Sequence, residues 1–221
     1  MHKDENGNTF STKGWSVRHK IVSYETCSRN GQPFEEMISV LGIPSSNAPL
    51  CSEQLKKKPI LHYAKTVLGW EKWSFHVAIG IRADEKARFK EKDDDQLIFQ
   101  PMATVFPIDK TYPIEWFKQQ PFDLMIHPDD GNCNDCWKKD LPRLCRNMNR
   151  DPKGFLWWER MVDTYGHLNP RNVPQQPPFQ FYRGQLSVQE IRELAPLPQA
   201  ELKAMMKKRK ISPCTESCEA F

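Results

Sequence analysis

A chain of 221 residues with 38% hydrophobic content and seven tryptophans can bury a core of its own, which excludes an intrinsically disordered chain. Its net charge of +4 at pH 7 suits an anionic small ligand or a nucleic acid and selects neither. No apolar run is long enough to cross a bilayer and no signal peptide opens the sequence, so the expected residence is cytoplasmic and away from membranes.

Residues 1–14 are polar (Asp4, Glu5, Asn6, Gly7, Asn8) and read as a loop or frayed start. Trp15 to Tyr24 alternates in part and predicts a short strand that buries Val17, Ile21 and Val22. Arg29-Asn30-Gly31 signals a turn. Pro33 opens a helix with Phe34, Met37, Ile38 and Leu41 on its apolar side, closed by Gly42. A Pro/Ser/Asn loop then delivers Cys51. Ser52 is expected to cap the next helix, and Pro59 to break it in two. The second piece carries Ile60, Leu61, Ala64, Val67 and Leu68 and ends at Gly69.

Residues 75–81, FHVAIGI, read as a buried strand because the apolar run is nearly continuous. They lead straight into Arg82-Ala83-Asp84-Glu85. Charge just past the C-terminal end of a buried strand is where open α/β sheets take ligands. Lys86 to Asp95 reads as a solvated loop, and Leu97 to Phe99 as a short strand leading to Pro101. Asp109 caps a helix over residues 110–119 that ends at Gln120-Pro121-Phe122-Asp123. Asp151-Pro152 starts a helix through Trp157, Trp158 and Met161 that stops at Gly166. Residues 167–184 form a Pro/Gln/Asn-rich loop. Ser187-Val188-Gln189-Glu190 matches a capping box, and Glu201 to Lys210 reads as a short basic helix or tail. Strands alternating with helices point to an α/β fold with a largely parallel sheet.

Seven cysteines in a reducing compartment favour metal binding or redox work over a disulfide scaffold. The sharpest motif is Gly131-Asn132-Cys133-Asn134-Asp135-Cys136-Trp137-Lys138-Lys139. Two thiols two residues apart can face one metal centre across a turn. Lys138, Lys139, Arg143 and Arg146 make the surroundings electropositive, which favours thiolate. Zinc, an iron–sulfur cluster and thiol–disulfide exchange all stay open at this point. Arg82 with Asp84 is either a strand-end salt bridge or a ligand site. Lys56, Lys57 and Lys58 read as a solvated face, and Arg29 is either a turn residue or a nucleotide contact. Trp157-Trp158 reads as helix packing rather than a base-stacking platform. His62, His76, His127 and His167 show no metal-ligand spacing.

Four stretches in order carry a resemblance. They are Cys51 followed by Lys56-Lys57-Lys58-Pro59-Ile60; Gly80-Ile81-Arg82-Ala83-Asp84-Glu85; the Pro101 stretch with the 109–119 helix and Gln120-Pro121-Phe122-Asp123-Leu124; and Cys133 with Cys136. Over roughly residues 15–195 this order resembles the C-terminal part of the phosphoadenosine phosphosulfate (PAPS) reductase family, in particular its phage-encoded reductase-like branch. That family belongs to the adenine-nucleotide α-hydrolase, or ATP-pyrophosphatase, superfamily. The resemblance implies an incomplete adenine-nucleotide α-hydrolase-like parallel sheet. Residues 1–14 would be a polar N-terminal segment, 15–166 the reductase-like α/β domain, and 167–221 a helical extension with a cysteine-bearing tail.

The resemblance also implies chemistry. Members with a [4Fe–4S] cluster hold it by a Cys-Cys pair and a later CxxC. Position 50 is Leu here, so Cys51, Cys133 and Cys136 are the metal ligands implied. Three thiolates leave one iron open, as in related tRNA sulfur transferases, unless Cys145 is a fourth; zinc is the alternative. Arg82, Asp84, Lys56, Lys57 and Arg29 would bind an adenine nucleotide or phosphosulfate. Cys218, near the C-terminus as in the family but followed by Glu219 instead of glycine, would be the nucleophile. The family's front strand and Gly-Gly phosphate loop are missing, since the sequence contains no Gly-Gly pair. A second copy or a separate subunit supplying that loop is therefore the expected partner. The implied function is sulfur-transfer or thiol-redox chemistry, possible as one part of a split enzyme. The alternatives are a non-catalytic nucleotide-binding or accessory subunit and a component of a nucleic-acid sulfur transferase.

Overall fold

The structure, a computed structural model, describes residues 2–3, 9–10, 16–71, 74–85, 98–123, 125, 127 and 133–208. The expected loop at Lys86 to Asp95, the turn at Gly131-Asn132, and the tail with Cys214 and Cys218 lie outside the described residues. The chain divides into two compact units. The first is Met1–Gly69 with Asp135–Ile211, and the second is Trp70–Asn134 with Ser212–Phe221. The contacts thus group the described part of the 167–221 extension with the N-terminal helices rather than set it apart.

In the first unit, β1 (His2–Lys3) pairs antiparallel with β2 (Thr9–Phe10). The helix opened by Pro33 is α1, Gln32–Leu41, which buries Met37 and Ile38. Gly42 ends it at φ 80°, where a Cβ would come within 2.6 Å of the Leu168 carbonyl oxygen. Glycine alone meets both demands. The expected strand before α1 is not formed. Residues 16–23 pair with no strand, and Ile21 is 72% exposed with Val22 also exposed. Partial alternation specifies a strand only when another edge is there to pair with it.

The next helical run differs from expectation at two residues. It begins at α2 (Leu50–Ser52), passes through a π-turn at Glu53–Lys57, and continues as α3 (Lys58–Thr66). Ser52 therefore lies inside the run and makes no cap. Pro59 does not break it either. The Lys58 N–H reaches back to the Glu53 carbonyl, and this widened turn takes up the ring that would clash with a carbonyl in a regular helix.

The core is built on α6 (Leu141–Arg150), α7 (Lys153–Tyr165), α8 (Val188–Leu194) and α9 (Gln199–Lys208). Asp140 caps α6 by accepting from the Arg143 N–H at 2.9 Å, and Leu141, Leu144, Cys145 and Met148 face inward. The capping box at Ser187 and Glu190 opens α8 as expected. α9 is a packed helix, since Leu202 and Met206 are buried. Trp158 of α7 stacks on Phe181 with centroids 3.4 Å apart, and Phe34 of α1 meets Trp158 edge-on at 5.6 Å. The tryptophan pair is thus helix packing. The 167–184 segment is more than a surface loop: Phe179, Phe181 and Tyr182 are all buried. Each such side chain is worth about 1.5–3 kcal/mol of burial, enough to hold an otherwise irregular segment on the core.

In the second unit, β3 (Val77–Ala78) runs parallel to β4 (Ile98–Phe99), with Val77 opposite Ile98 and Ala78 opposite Phe99. The expected continuous burial of FHVAIGI is not what forms. Phe75, Val77 and Ile79 are half-buried and Ile81 is buried, while His76, Ala78 and Gly80 are exposed. A strand with one covered face alternates with period two. Pro101 opens a short helix, α4 (Pro101–Thr104), and α5 (Thr111–Lys118) follows. The Asp109 carboxylate accepts from the Thr111 N–H at 2.8 Å.

Candidate thiolate and anion sites

The second cysteine of the CxxC motif stands in a built environment of the first unit. The Lys139 N–H donates to the Cys136 carbonyl at 3.0 Å, closing a turn that runs into the capped start of α6. Trp137 is buried in that turn, with the Lys138 Nζ 5.5 Å and the Arg183 guanidinium 5.7 Å from its ring centroid. Lys139 is only 1% exposed. Asp135 lies against α7 so closely that a Cβ on Gly154 would stand 1.7 Å from its Oδ2.

Tyr182, next in the chain to Arg183, is buried in the same unit. Phe155 stacks on it at 5.7 Å, and Phe181 meets it edge-on at 5.0 Å. Burial raises its hydroxyl well above the usual phenol range, and the negative charges of Asp135 and Cys136 add to the shift. The phenol oxygen has no hydrogen-bond partner among the described residues. Sequence reading missed Tyr182, because a Phe-Gln-Phe-Tyr run inside a proline-rich stretch carries no motif. Its signal is an orphaned polar atom, visible only once the chain is folded.

The other thiols divide clearly. Cys51, in α2, and Cys136 are half-buried in the first unit; Cys133 is exposed in the second. Among the described residues, no three His, Cys, Asp or Glu side chains form a group that could hold a metal ion. Cys145 is a core residue, and burial pushes its thiol up to about 11. His19 and His62, 43 positions apart, bring their Nδ1 atoms to 2.7 Å. No spacing rule could have matched those two.

Of the basic residues expected to grip an anion, Arg29 and Arg82 are engaged with their own chain. Lys56 and Lys57 are exposed at the end of the π-turn. Glu53, at its start, pairs with Lys58 at 3.2 Å and with Arg171. Burial works to raise the Glu53 carboxyl, but the hydrogen bonds from Arg171 and Lys58 outweigh it and hold the group below the usual range. The Arg29 guanidinium donates to the Tyr24 carbonyl and lies 4.5 Å from the Tyr24 ring centroid.

In the second unit Arg82 makes a two-pronged pair with Asp84, Nε to Oδ1 at 3.0 Å and Nη2 to Oδ2 at 3.1 Å. The Arg82 side chain is 11% exposed. The hydrogen bond from Arg82 holds the Asp84 carboxyl below its usual range. Asp109 is held low mainly by hydrogen bonds from Thr111, with the Arg82 charge adding to the effect. The Arg82 N–H donates to Glu85 Oε2 at 3.0 Å, and the Ala83 N–H to the Ile108 carbonyl at 2.9 Å. The turn after the strand is thus tied to the segment before α5. A groove of about 490 Å³ in this unit is lined by Ile114, Phe117, Lys118, Pro121 and Phe122, and its lining does not include Arg82. A groove of about 570 Å³ in the first unit is lined by Glu159, Asp163, His167, Ser187 and Gln189 among others.

Over 196 residues, 86% of its length, the sequence is 30% identical to a protein of Escherichia phage lambda described as "Uncharacterized nin region protein ORF290". The chain spans 64% of the length of that relative. No family model matches the sequence, and no solved structure matches it. Among the described residues, no helix is long and apolar enough to cross a membrane.

Proposed function

We propose that the chain is a PAPS-reductase-like iron–sulfur protein of the cytoplasm, with an α/β fold of the adenine-nucleotide α-hydrolase kind. It would act in sulfur transfer or thiol redox chemistry on an adenylylated or phosphosulfate substrate. Cys51, Cys133 and Cys136 would hold the cluster, with zinc as the alternative occupant. The observation that carries the reading is the setting of Cys136. Its half-buried thiol is next in the chain to Trp137, whose ring centroid has the Lys138 Nζ at 5.5 Å and the Arg183 guanidinium at 5.7 Å. Cations near a thiol favour the thiolate that a metal or cluster needs. The family-like order of motifs also supports it. When bound, a cluster with an open iron supplies a position for sulfide or substrate. The chain's own residues would hold the anion through Arg82, Lys56, Lys57 and Arg29. The Cys218 thiolate would attack the sulfur, with the S–O bond breaking and the nucleotide phosphate leaving with that electron pair.

Anaerobic purification followed by iron and sulfide analysis tests the reading. About four irons and four sulfides per chain, lost in Cys136→Ser, are expected. Stoichiometric zinc, or no metal at all, overturns the iron–sulfur assignment.

One observation favours a non-catalytic nucleotide-binding or accessory subunit instead. Arg82 already carries the carboxylate of Asp84 at both nitrogens, and the sequence has no Gly-Gly pair to cradle phosphate. In either reading the partner is a second copy or a subunit that supplies the phosphate loop. Light scattering on the chain, alone and with that subunit, separates the two cases.

A further inference from the structure

His19 and His62 bring their Nδ1 atoms to 2.7 Å across 43 positions of sequence. Their ring centroids lie 4.9 Å apart, and the Tyr63 ring meets His19 edge-on at 5.2 Å. Both histidines are half-buried. His62 belongs to α3, whereas His19 lies in residues 16–22, which form neither helix nor strand. Within that segment Val17 and His19 are half-buried and the other residues are exposed. Among the described residues, His19 is the one member of the segment with a hydrogen bond, ion pair or ring contact elsewhere. The contact between the two imidazoles is therefore the polar tie between residues 16–22 and α3.

That tie has room for one hydrogen. When both rings are neutral, the Nδ1–H of one donates to the Nδ1 lone pair of the other, which carries its own proton on Nε2. One added proton leaves the bond in place, now as an imidazolium donating to an imidazole, which is a stronger, charge-assisted bond. A second added proton puts a hydrogen on each Nδ1. Neither ring then has an acceptor, and two positive charges face each other. Residues 16–22 and α3 contain no Asp or Glu, and their other charged side chains are Arg18, Lys20, Lys58 and Lys65. The Glu53 carboxylate of the preceding π-turn is taken up by Lys58 and Arg171. The remaining titratable group against His19 is the phenol of Tyr63, which is neutral when the imidazoles titrate. Nothing on these two elements offsets the second charge.

We propose that His19 and His62 form a proton-operated latch, which holds residues 16–22 on α3 until both rings are protonated and then lets the segment go. The latch acts within the first unit and stands apart from the iron–sulfur reading. It tolerates one added proton and opens with the second, so release is a local event that leaves the core helices α6, α7 and α8 folded.

The test is NMR of the full chain between about pH 8 and pH 5, the range over which imidazoles take up protons. Ring ¹⁵N signals read the protonation of His19 and His62, and backbone ¹⁵N relaxation reads the order of residues 16–22. In wild type at the upper end, one ring should carry its proton on Nδ1 and the other on Nε2, with the segment ordered. The segment should lose that order as the second ring becomes protonated, while the amide signals of α6, α7 and α8 stay in place. His62→Phe keeps an aromatic ring but no proton site. Its segment should be loose at every pH, and its order should not change with pH. His76→Phe, which removes a histidine of the second unit, should behave as wild type. A segment that stays ordered with both rings protonated would overturn the proposal. So would a segment already loose at the upper end, or a His62→Phe variant that keeps the wild-type response. Loss of the α6, α7 and α8 signals over the same range would overturn it too, because the event would then be unfolding of the unit rather than release of one segment.

Discussion

The Arg82 guanidinium meets both carboxylate oxygens of Asp84, at 3.0 and 3.1 Å, four residues past the end of β3 at Ala78. An internal carboxylate in that fork competes with any external anion for the same two N–H groups. Asp84→Asn should therefore bind inorganic phosphate or an adenine nucleotide more tightly than wild type, and Arg82→Ala should bind either less tightly. Isothermal titration reads both, and equal affinities in all three proteins would remove Arg82 from the anion site.

The same pair makes a pH prediction. The folded-state carboxyl of Asp84 is held below its ordinary value by Arg82. Its contribution is fully present above the unfolded value of about 3.9 and is lost as pH falls toward the lower folded value. Denaturant midpoints of wild type should thus decline more steeply between about pH 4 and pH 2 than those of Asp84→Asn. Parallel profiles would mean that the fork contributes nothing to stability.

Phe181 is the buried anchor of the irregular segment, stacked on Trp158 at 3.4 Å and touching Tyr182 at 5.0 Å. Phe181→Ala should destabilise the first unit by about 3–5 kcal/mol, measured by urea unfolding. A loss within about 1 kcal/mol would show that the segment closes over the gap.

Elements whose ends are dictated by local chemistry were legible in the sequence. Pro33 and Gly42 bound α1, Gly166 ends α7, and Ser187 with Glu190 opens α8, each through groups within a few residues of one another. What depended on partners was not legible. Ile21 and Val22 carry a strand pattern but pair with no strand among the described residues, and FHVAIGI alternates because, among the described residues, one of its faces is exposed. Pro59 continues a helix only because a π-turn precedes it. The site divides along the same line. Cys136 stood out through its two-residue spacing from Cys133. Tyr182, 46 positions later, acquires meaning only from Phe155, Phe181 and the missing partner of its hydroxyl.

Cys145 and Cys133 should differ sharply in reactivity. Burial pushes the Cys145 thiol up to about 11, so at pH 8 almost none of it is thiolate, and the core shields it from reagent. Cys133 is exposed. Brief iodoacetamide treatment of metal-free protein at pH 8, followed by peptide mass spectrometry, should label Cys133 and leave Cys145 unmodified until denaturant is added. Early labelling of Cys145 would mean that α6 opens in the native state.

The contact between Asp135 and Gly154 gives the most local prediction. Gly154 lies in the first turn of α7, and the Asp135 carboxylate occupies the volume that a β-carbon would need, at 1.7 Å. No rotation of a methyl group relieves an overlap of that size, so Gly154→Ala must displace either Asp135 or the helix start. Alanine is otherwise the better helix former by about 1 kcal/mol, which gives the two effects opposite signs. Overpacking of this kind costs roughly 1–3 kcal/mol, and the carboxylate would also lose a favourable place at a helix N-terminus. Gly154→Ala should therefore be less stable than wild type in thermal unfolding. The double variant Asp135→Ala with Gly154→Ala should recover most of the difference, because the small side chain removes the overlap and lets the helix propensity show. A stabilised Gly154→Ala single variant would mean that Asp135 moves aside freely, and that the turn before Cys136 is not fixed by this contact.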